Sequence, residues 1–411
     1  MSALPSIPQS WRRLILLVPA VIFAIAIVTS LYHGGLRPAL PQVIVPAVDK
    51  NDDIHAATTT TTTTTALDNI PALVRALWAP LVVPITAPVF TALDGTEKRL
   101  PPVHELIHTT PLRSRICILD VDTRPLDEDG HVFSPTMPTW DALRSQSAGF
   151  MGHYLYALIH GYAYKLIRAP QYADRAPHWT KVVFTQELLR RRRDRYDVVV
   201  MMDSDVVFAS PELPLEWLLN YWRIDRRVVV AMAEDPDLDV NMDLRGKVNL
   251  NTGFIIAQTD SASNNTERLF GEWATCPEDE KRYPGCAQWK DKFCHEQAAF
   301  SSHVRYDFLD GLSVEKGEGR KYIRMLPCNE ANGAPERKHT GCTGQLVRHY
   351  WADKALTRRE LHDAVMRALT PRLAKAGFWG EERDPAVVED WRGSVLDGDR
   401  IVEKTGEVWA A

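Results

Sequence analysis

The chain has 411 residues, of which 45% are hydrophobic and 25% are charged, and its formal net charge is −5. These proportions are those of a globular protein with enough apolar residues for a substantial core. A slightly acidic chain gives no electrostatic reason to expect nucleic acid as a partner, so we predict no nucleic-acid binding.

An apolar segment without charged side chains occupies residues 14–32. Its length is close to the roughly 20 residues that a helix needs to cross a bilayer. Arg12 and Arg13 precede it, and basic residues beside a membrane helix tend to remain cytoplasmic. The alternative is a cleaved signal peptide, but the run exceeds an h-region of about 7–15 residues and lacks a clear small-x-small cleavage site. We therefore predict a cytoplasmic tail at 1–13, a signal-anchor transmembrane helix at 14–32 and a luminal remainder.

The composition changes after this segment. Residues 33–110 contain repeated prolines and an unbroken threonine run from Thr58 to Thr65. Such a stretch cannot supply a packed core, so it predicts a stem between the membrane helix and the folded domain.

The chain has six cysteines, and five of them follow residue 275. In an oxidising lumen the late cysteines are expected to form local disulfides, although the pairing cannot be deduced from the sequence. Cys117 lies in an apolar, strand-like run and is expected to be a buried free thiol. A zinc site is the alternative, but no C-x₂-C pair is present. Asn264-Asn265-Thr266 is an acceptor sequon for N-glycosylation, which also fits a lumen.

Strand-like and helix-like patterns alternate from about residue 113. The expected strands cover 115–120, 164–168, 197–202, 227–233 and 251–257, and the expected helices cover 152–160, 179–193 and 215–222. Such alternation predicts right-handed βαβ crossovers and a mostly parallel sheet in an α/β domain at 111–370. Residues 371–411 are assigned only as a C-terminal appendage.

The sequence Asp203-Ser204-Asp205 directly follows the apolar strand at 197–202. In open α/β sheets ligands bind at the carboxyl ends of the strands, where these acids would lie. Two carboxylates one residue apart can turn toward one hard cation, which prefers oxygen ligands. The alternative is a turn in which the acids cap the next helix.

Six short motifs recur in a defined order along residues 160–354. They are HGYAYKL (160–166), HWTKVVFTQELL (178–189), MMDSDVVF (201–208), LNTGFIIAQ (250–258), HEQAAF (295–300) and RHYWADK (348–354). Together they resemble the fungal and plant galactosyl-, mannosyl- and xylosyltransferases of glycosyltransferase family thirty-four, which have the GT-A fold. The resemblance implies a Rossmann-like nucleotide-diphospho-sugar transferase domain.

The resemblance also implies an activity and a location. It implies a single-pass type II Golgi membrane enzyme that transfers a hexose or pentose from a UDP- or GDP-sugar, with retention of configuration. The acceptor would be an oligosaccharide, glycoprotein or glycolipid, and complexes with other glycosyltransferases are among the implied partners. The cofactor would be Mn²⁺ or Mg²⁺, held by Asp203, Asp205 and His349, since imidazole beside carboxylates favours a transition metal over calcium.

The remaining site residues follow from the same resemblance. The residues implied to contact the donor are Asp120, Asp122, Thr123 and Arg124 at base or ribose, Lys181 and Ser204 near the nucleotide, Asn251, Thr252 and Gly253 near the sugar, and Lys354 at the diphosphate. Glu296 and Gln297 take the place of the family's acid–glutamine pair near the anomeric carbon. Gln297 would stabilise the oxocarbenium-like centre through its amide oxygen, and Glu296 would hold donor or acceptor hydroxyls. Ala352 stands where the family usually has a glycine.

Simpler interpretations of these residues remain open. Lys181 and Lys354 fit ordinary surface charges, Thr252 a strand-entry turn, and His349 a partly buried histidine between aromatic residues. Glu296 fits a solvated position on a helical turn.

Three other functions compete with this interpretation. One is another retaining GT-A family with a different donor, and a second is a non-catalytic partner subunit. The third is a haloacid-dehalogenase-like phosphohydrolase, because Asp120 and Asp122 follow an apolar strand. In that family's D-x-D-x-T opening the threonine comes one position later than Thr123 does here.

Overall fold

The structure, a computed structural model, describes residues 69–192, 195–259, 264–308 and 322–378, together with the short strands at 394–397, 400–403 and 408–409. The predicted tail, the predicted transmembrane helix and the predicted stem up to residue 68 lie outside these ranges. None of the helices in the described ranges is both long enough and apolar enough to span a bilayer.

The described chain alternates strands and helices. The strands are β1 (Val89–Thr91), β2 (Glu97–Arg99), β3 (Ile116–Asp122), β4 (Ala163–Arg168), β5 (Val198–Met202), β6 (Val206–Phe208), β7 (Val230–Glu234), β8 (Leu250–Gln258), β9 (Ile323–Leu326), β10 (Val347–His349), β11 (Ser394–Asp397), β12 (Arg400–Glu403) and β13 (Val408–Trp409). The α-helices are α1 (Ile70–Trp78), α2 (Ser145–His160), α3 (Thr180–Arg191), α4 (Leu215–Tyr221), α5 (Asn265–Thr275), α6 (His295–Ala299), α7 (Arg305–Phe308), α8 (Cys328–Ala331) and α9 (Leu356–Leu373).

Six strands form the central sheet in the order β4-β3-β5-β8-β7-β9. Strands β3, β4 and β5 are parallel to one another, and β7 is parallel to β9. Strand β8 alone runs the other way, because it pairs antiparallel with both β5 and β7. The mostly parallel α/β sheet is therefore confirmed, with one reversed strand. The reversal brings the first residues of β8 to the carboxyl ends of the other strands.

The sheet is buried on both faces, which explains its uninterrupted apolar strands. Along β5, Val198, Val200 and Met202 belong to one core cluster, while Val199 and Met201 belong to the other. The first cluster contains Tyr156 of α2 and Trp217 of α4, and the second contains Phe270 and Trp273 of α5. The strand that delivers the acidic pair is thus fixed between two helical layers.

The predicted stem extends too far, because residues 69–110 are folded. The ring of Phe90 on β1 lies 5.8 Å from the ring of Trp217, whose indole nitrogen donates to the carbonyl of Ala87 at 2.9 Å. On β2, the buried ammonium of Lys98 lies 2.8 Å from a carboxylate oxygen of Glu330. Because the segment is rich in proline and threonine, its composition does not reveal the helix and the hairpin that cover part of the apolar core.

Helix α2 begins at Ser145 and not at the predicted Gly152. The small residues of its first turns hide the helical pattern in the sequence. They are needed because α2 passes close to the acidic turn: a Cβ added to Gly149 would lie 1.8 Å from the carbonyl oxygen of Ser204. The helix ends at Gly161, whose left-handed φ of +73° is the usual C-terminal stop.

Two local disulfides join late cysteines, as expected: Cys276 with Cys286, and Cys328 with Cys342. Cys117 is a buried free thiol, and Cys294 is also unpaired and partly buried. Helix α9 crosses the predicted domain boundary at 370, and strands β11, β12 and β13 form a small antiparallel sheet beyond it.

Candidate functional site

The acidic pair sits in a three-residue turn between β5 and β6. The backbone holds this turn from several sides: Asp203 donates its N–H to the carbonyl of Gly253 at 2.8 Å, and Val206 donates to the carbonyl of Asp203 at 2.9 Å. Tyr350 donates its N–H to the carbonyl of Asp205 at 2.8 Å. Both carboxylates therefore project from a fixed backbone at the carboxyl end of β5.

His349 reaches the pair through a small second sheet. Strand β10 runs antiparallel to β6, and this register sets His349 opposite Val206. Its Nε2 atom lies 3.4 Å from Oδ1 of Asp205. One ligand atom each of Asp203, Asp205 and His349 lies within 4.8 Å of the other two. The structure brings together the three residues that the resemblance implies as metal ligands.

Gly253 makes room for this imidazole. A Cβ added at this position would lie 2.3 Å from Cε1 of His349. The resemblance implies that Gly253 lies near the sugar, but in the structure the group that approaches it is the ring of His349.

The donor set fits a divalent cation. Two carboxylates and one imidazole suit Mn²⁺ and similar ions. The charges agree, because among the described residues the four carboxylates of Asp122, Asp203, Asp205 and Glu296 meet three cationic side chains, those of Arg124, Lys181 and Lys354. The excess negative charge is available to a cation.

The carboxylate of Asp205 is held in its charged form. Burial alone raises its pKa, but attraction and hydrogen bonding from His349 and Lys354 outweigh burial, and the net pKa is lowered. The Nζ atom of Lys354 lies 2.9 Å from Oδ2 of Asp205, and its side chain is 53% exposed. Lys354 therefore contacts Asp205 and still has part of its side chain open to a ligand.

Lys181, which was expected near the nucleotide, is almost fully buried. Its ammonium is buried beneath the acidic pair, 2.9 Å from Asp203 and 3.1 Å from Glu296, and it donates to the carbonyl of Thr252 at 3.2 Å. Burial lowers the pKa of Lys181, but the two carboxylates outweigh burial and raise it overall. Lys181 is therefore a buried cation that holds Asp203 and Glu296 in place. Only a small part of its side chain borders the open space beside the acidic turn.

An open cleft of about 310 Å³ lies beside the acidic turn, at the carboxyl ends of β3 and β5. We call it the strand-end cleft. Its lining residues are Val121, Asp122, Thr123, Arg124, Gln171, Pro177, His178, Thr180, Lys181, Asp203, Ser204, Asp205 and Lys354. It is thus bordered by Thr123 and Ser204, two of the residues expected at the donor.

The acids of β3 divide between the cleft and the core. Asp122 borders the cleft and accepts hydrogen bonds from the backbone and side chain of Arg124, while Arg124 also donates to Ser204 at 3.2 Å. Asp120, expected at base or ribose, is instead fully buried. It is 2.8 Å from Nδ1 of His153 and accepts the hydroxyl of Tyr164 at 2.7 Å. A carboxylate enclosed in this way can serve neither as a donor contact nor as the nucleophile of a phosphohydrolase.

Glu296 and Gln297 are held by the start of β8. Oε1 of Glu296 accepts the hydroxyl of Thr252 at 2.9 Å, and Oε1 of Gln297 accepts the N–H of Thr252 at 3.2 Å. Glu296 is buried, so its expected hydrogen bonds to donor or acceptor hydroxyls are replaced by Thr252 and Lys181. The amide oxygen of Gln297, expected to face the anomeric carbon, is engaged by the backbone.

Asp235 is a site residue that the sequence reasoning missed. It directly follows β7 and accepts three side-chain amides: Asn251 at 2.8 Å, Gln297 at 2.6 Å and Asn332 at 3.2 Å. Burial raises its pKa, and the amides and His349 offset only part of that effect. An acid at the carboxyl end of a central strand is the same signal that identified Asp203, and it would have identified Asp235.

A pair of stacked histidines was also missed. The rings of His178, which borders the strand-end cleft, and His295 are 4.8 Å apart and nearly parallel. His295 begins the short helix that carries Glu296 and Gln297. Nothing in the sequence spacing of these two histidines indicates that they meet.

No family model matches the chain, and no curated protein matches it. It is similar to a solved structure described as the crystal structure of a glycosyltransferase involved in the glycosylation of the major capsid of PBCV-1. The identity is 13%, the match covers 60% of this chain and 98% of that chain, and the TM-score is 0.38. At this level the likeness carries no weight for function, which has to be inferred from the site.

Proposed function

We propose that this chain is a divalent-metal-dependent transferase acting on a nucleotide-linked sugar, with a GT-A-type domain. The observation that carries the proposal is the cluster of Asp203, Asp205 and His349, with ligand atoms within 4.8 Å of one another at the carboxyl edge of an α/β sheet. The open strand-end cleft beside it supplies room for a ligand.

More specifically, we propose transfer of a hexose or pentose from a UDP- or GDP-sugar to a glycan acceptor, with Mn²⁺ as cofactor and retention of configuration. The family-thirty-four-like motif order supports this finer assignment. The apolar segment at 14–32 and the prolines and threonines that follow it support a type II Golgi membrane protein with a luminal catalytic domain.

A bound divalent cation would neutralise the negative charge that develops on a leaving diphosphate. The chain's own residues keep one of the two carboxylates ionised and hold the other in position for such a cation. Asp205 stays ionised because its pKa is lowered, and Asp203 is held in place by Lys181. The exposed ammonium of Lys354, anchored on Asp205, is positioned to bind diphosphate oxygens at the open side of the cleft.

Hydrogen bonds also fix the polar groups at the start of β8, beside the acidic turn. Gln297 is held at both ends of its amide, by the Thr252 N–H and by Asp235. Asn251 ties the same Asp235 to the first residues of β8. A site held in this way needs little reorganisation when a donor binds, which is the condition for electrostatic stabilisation of a transition state.

The proposal is tested by donor turnover. Purified full-length protein is offered a panel of UDP- and GDP-sugars with Mn²⁺ or with EDTA, and the release of nucleoside diphosphate is measured. We expect one donor to be turned over only with the metal, and Asp203→Asn to lower the rate at least about 100-fold. The matched control is Asp225→Asn, which removes a surface carboxylate paired with Arg227.

Absence of turnover of every donor, together with metal-dependent nucleotide binding, would instead support the non-catalytic partner subunit. Absence of both would exclude a nucleotide-sugar function. Thermal unfolding of each variant shows whether a lost rate reflects a lost fold.

A further inference from the structure

A second and larger cleft, of about 760 Å³, opens between the loop after β3 and the first turns of α9. One wall is formed by loop residues that include Asp129, Trp140 and Arg144. The other wall is formed by helix residues that include Arg358 and His362. We call it the loop–helix cleft.

The chain segments that form both walls also contribute residues to the strand-end cleft. On the loop side this residue is Arg124, which donates to Ser204, and on the helix side it is Lys354, which contacts Asp205. The hydroxyl of Thr357 joins the two walls, since it lies within hydrogen-bond distance of the carbonyl of Lys354, at 2.8 Å, and of the carbonyl of the first residue of α2, at 2.9 Å. The two clefts are therefore neighbours along continuous chain segments.

The loop wall is preformed. Gly130 has a left-handed φ of +83°, and a Cβ added there would lie 1.9 Å from the carbonyl oxygen of Ala142. Arg144 donates its N–H to the carbonyl of Gly130 at 2.9 Å. From the opposite wall, Arg358 donates to the carbonyl of Asp141 at 3.1 Å. These contacts fix the shape of the cleft before any ligand binds, as is usual for binding sites.

An exposed aromatic ring lies in the cleft. Trp140 is 42% exposed, which is unusual for the largest apolar side chain. The guanidinium of Arg358 lies 5.3 Å from its ring centre, and the ring of His362 lies 5.9 Å away. These neighbours cover part of the indole and leave the rest of its surface open to a ligand.

Charges of both signs surround the ring. Among the described residues, Arg144 and Arg358 have no carboxylate partner and donate only to the backbone carbonyls of Asp129 and Asp141. Their remaining N–H groups are available to a ligand. The carboxylates of Asp129 and Asp141 offset these positive charges, and Arg359, which also lines the cleft, is paired with Glu336, so the cleft does not favour a polyanion. An exposed indole beside hydrogen-bond donors and acceptors suits a neutral, polyhydroxylated sugar ring, which can stack on the indole through its apolar face.

We propose that the loop–helix cleft binds the oligosaccharide part of the acceptor, with a sugar ring packed on Trp140 and hydroxyls paired with Arg144 and Arg358. This inference rests on the proposed transferase function. It adds the place where the chain recognises its acceptor, separate from the residues at the metal and the donor.

The test combines binding with turnover in the full-length protein. Binding of neutral di- and trisaccharides of mannose, galactose and glucose is measured by titration calorimetry, each offered free and attached to a carrier protein. The ratio of sugar transfer to donor hydrolysis is measured with the same saccharides. The variants are Trp140→Ala, Trp140→Tyr, which keeps an aromatic ring, and the control Met137→Ala, a 91% exposed residue of the same loop.

We expect Trp140→Ala to weaken binding of at least one free oligosaccharide about tenfold and to lower the transfer-to-hydrolysis ratio by a similar factor. Trp140→Tyr should retain most of both, and Met137→Ala should match the wild type. The proposal is overturned if no saccharide binds, if binding is unchanged in Trp140→Ala, or if binding requires the carrier protein. Trp140-dependent binding without any donor hydrolysis would sink the transferase function but keep the sugar site.

Discussion

The imidazole of His349 can occupy its position because residue 253 is a glycine and has no side chain. The glycine lies on β8 and the histidine on β10, and the imidazole fills the space where a Cβ would stand. The preference for glycine here is therefore a packing requirement of the metal cluster.

Gly253→Ala should displace His349, because the added methyl carbon would lie 2.3 Å from Cε1 of the ring. We expect Mn²⁺ affinity to fall by about 10–100-fold, the loss typical of disturbed support around a metal ligand. The affinity is measured by calorimetric titration with Mn²⁺. Gly152→Ala is the matched control, since its added Cβ meets no atom within 4 Å. Equal affinities in wild type and Gly253→Ala would mean that His349 is not a ligand.

Single residues also show what the sequence could not provide. Asp120 and Asp122 stand two positions apart on one strand, yet Asp120 is enclosed by His153 and Tyr164 and only Asp122 borders the cleft. Lys181 is buried, although a lysine is usually exposed. Sequence patterns place an acid at a strand end, but partners distant in the chain decide whether it faces ligand or core.

At the scale of elements, α2 passes the acidic turn at Gly149 and ends beside the segment that follows β6. Its carboxyl-terminal His160 is buried, and its Nε2 atom lies 2.7 Å from the carbonyl oxygen of Pro211. This contact fixes the helix to the segment that follows β6. Helix α2 therefore helps to position β6, which pairs with β10, the strand that carries His349.

The burial of His160 should make stability depend on pH, and the hydrogen bond to Pro211 offsets only part of that effect. Burial lowers the pKa of His160 from 6.5 to about 4. Between these values the unfolded chain binds a proton that the folded chain does not. The contribution to stability is therefore complete above the unfolded pKa and is lost as the pH falls toward the folded one, by about 3 kcal/mol.

The free energy of unfolding in urea, measured at neutral pH and near the lower pKa, checks this effect. The variant His160→Gln should show a flatter pH dependence than the wild type, since its amide can still donate to Pro211 without titrating. Exposed His104→Gln is the control and should leave the dependence unchanged. Equal slopes in wild type and His160→Gln would contradict the buried, neutral histidine.

The strands show where sequence patterns suffice and where they fail. The apolar run of β5 is predicted well because both of its faces are buried. The direction of β8 was not predicted, because a doubly buried strand has the same composition in either direction. That direction is what brings Asn251 and Thr252 to Asp235 and Glu296.

At the scale of the whole molecule, the segment 69–110 belongs to the folded domain. It covers Trp217 through Phe90 and supplies Lys98, the buried ionic partner of Glu330. Composition alone did not reveal this, because a few apolar residues among prolines are enough to complete an existing core.

Two deletion variants test this assignment. Removal of residues 1–68 should leave a domain that unfolds cooperatively. Removal of 1–110 should lower stability by at least about 3–5 kcal/mol, because Glu330 would lose its buried cation and Trp217 would be exposed. Differential scanning calorimetry of both variants measures the difference. Equal transition temperatures would show that 69–110 is a dispensable stem after all.

The central claim is that Asp203, Asp205 and His349 hold a divalent cation that this chain uses to cleave a nucleotide-sugar. The measurement that tests it most directly is Mn²⁺-dependent release of nucleoside diphosphate by wild type and Asp205→Asn. We expect release by the wild type that EDTA abolishes and Mn²⁺ restores, and release at least about 100-fold slower in a folded Asp205→Asn. Release that is unaffected by EDTA, or unchanged in Asp205→Asn, would contradict the claim.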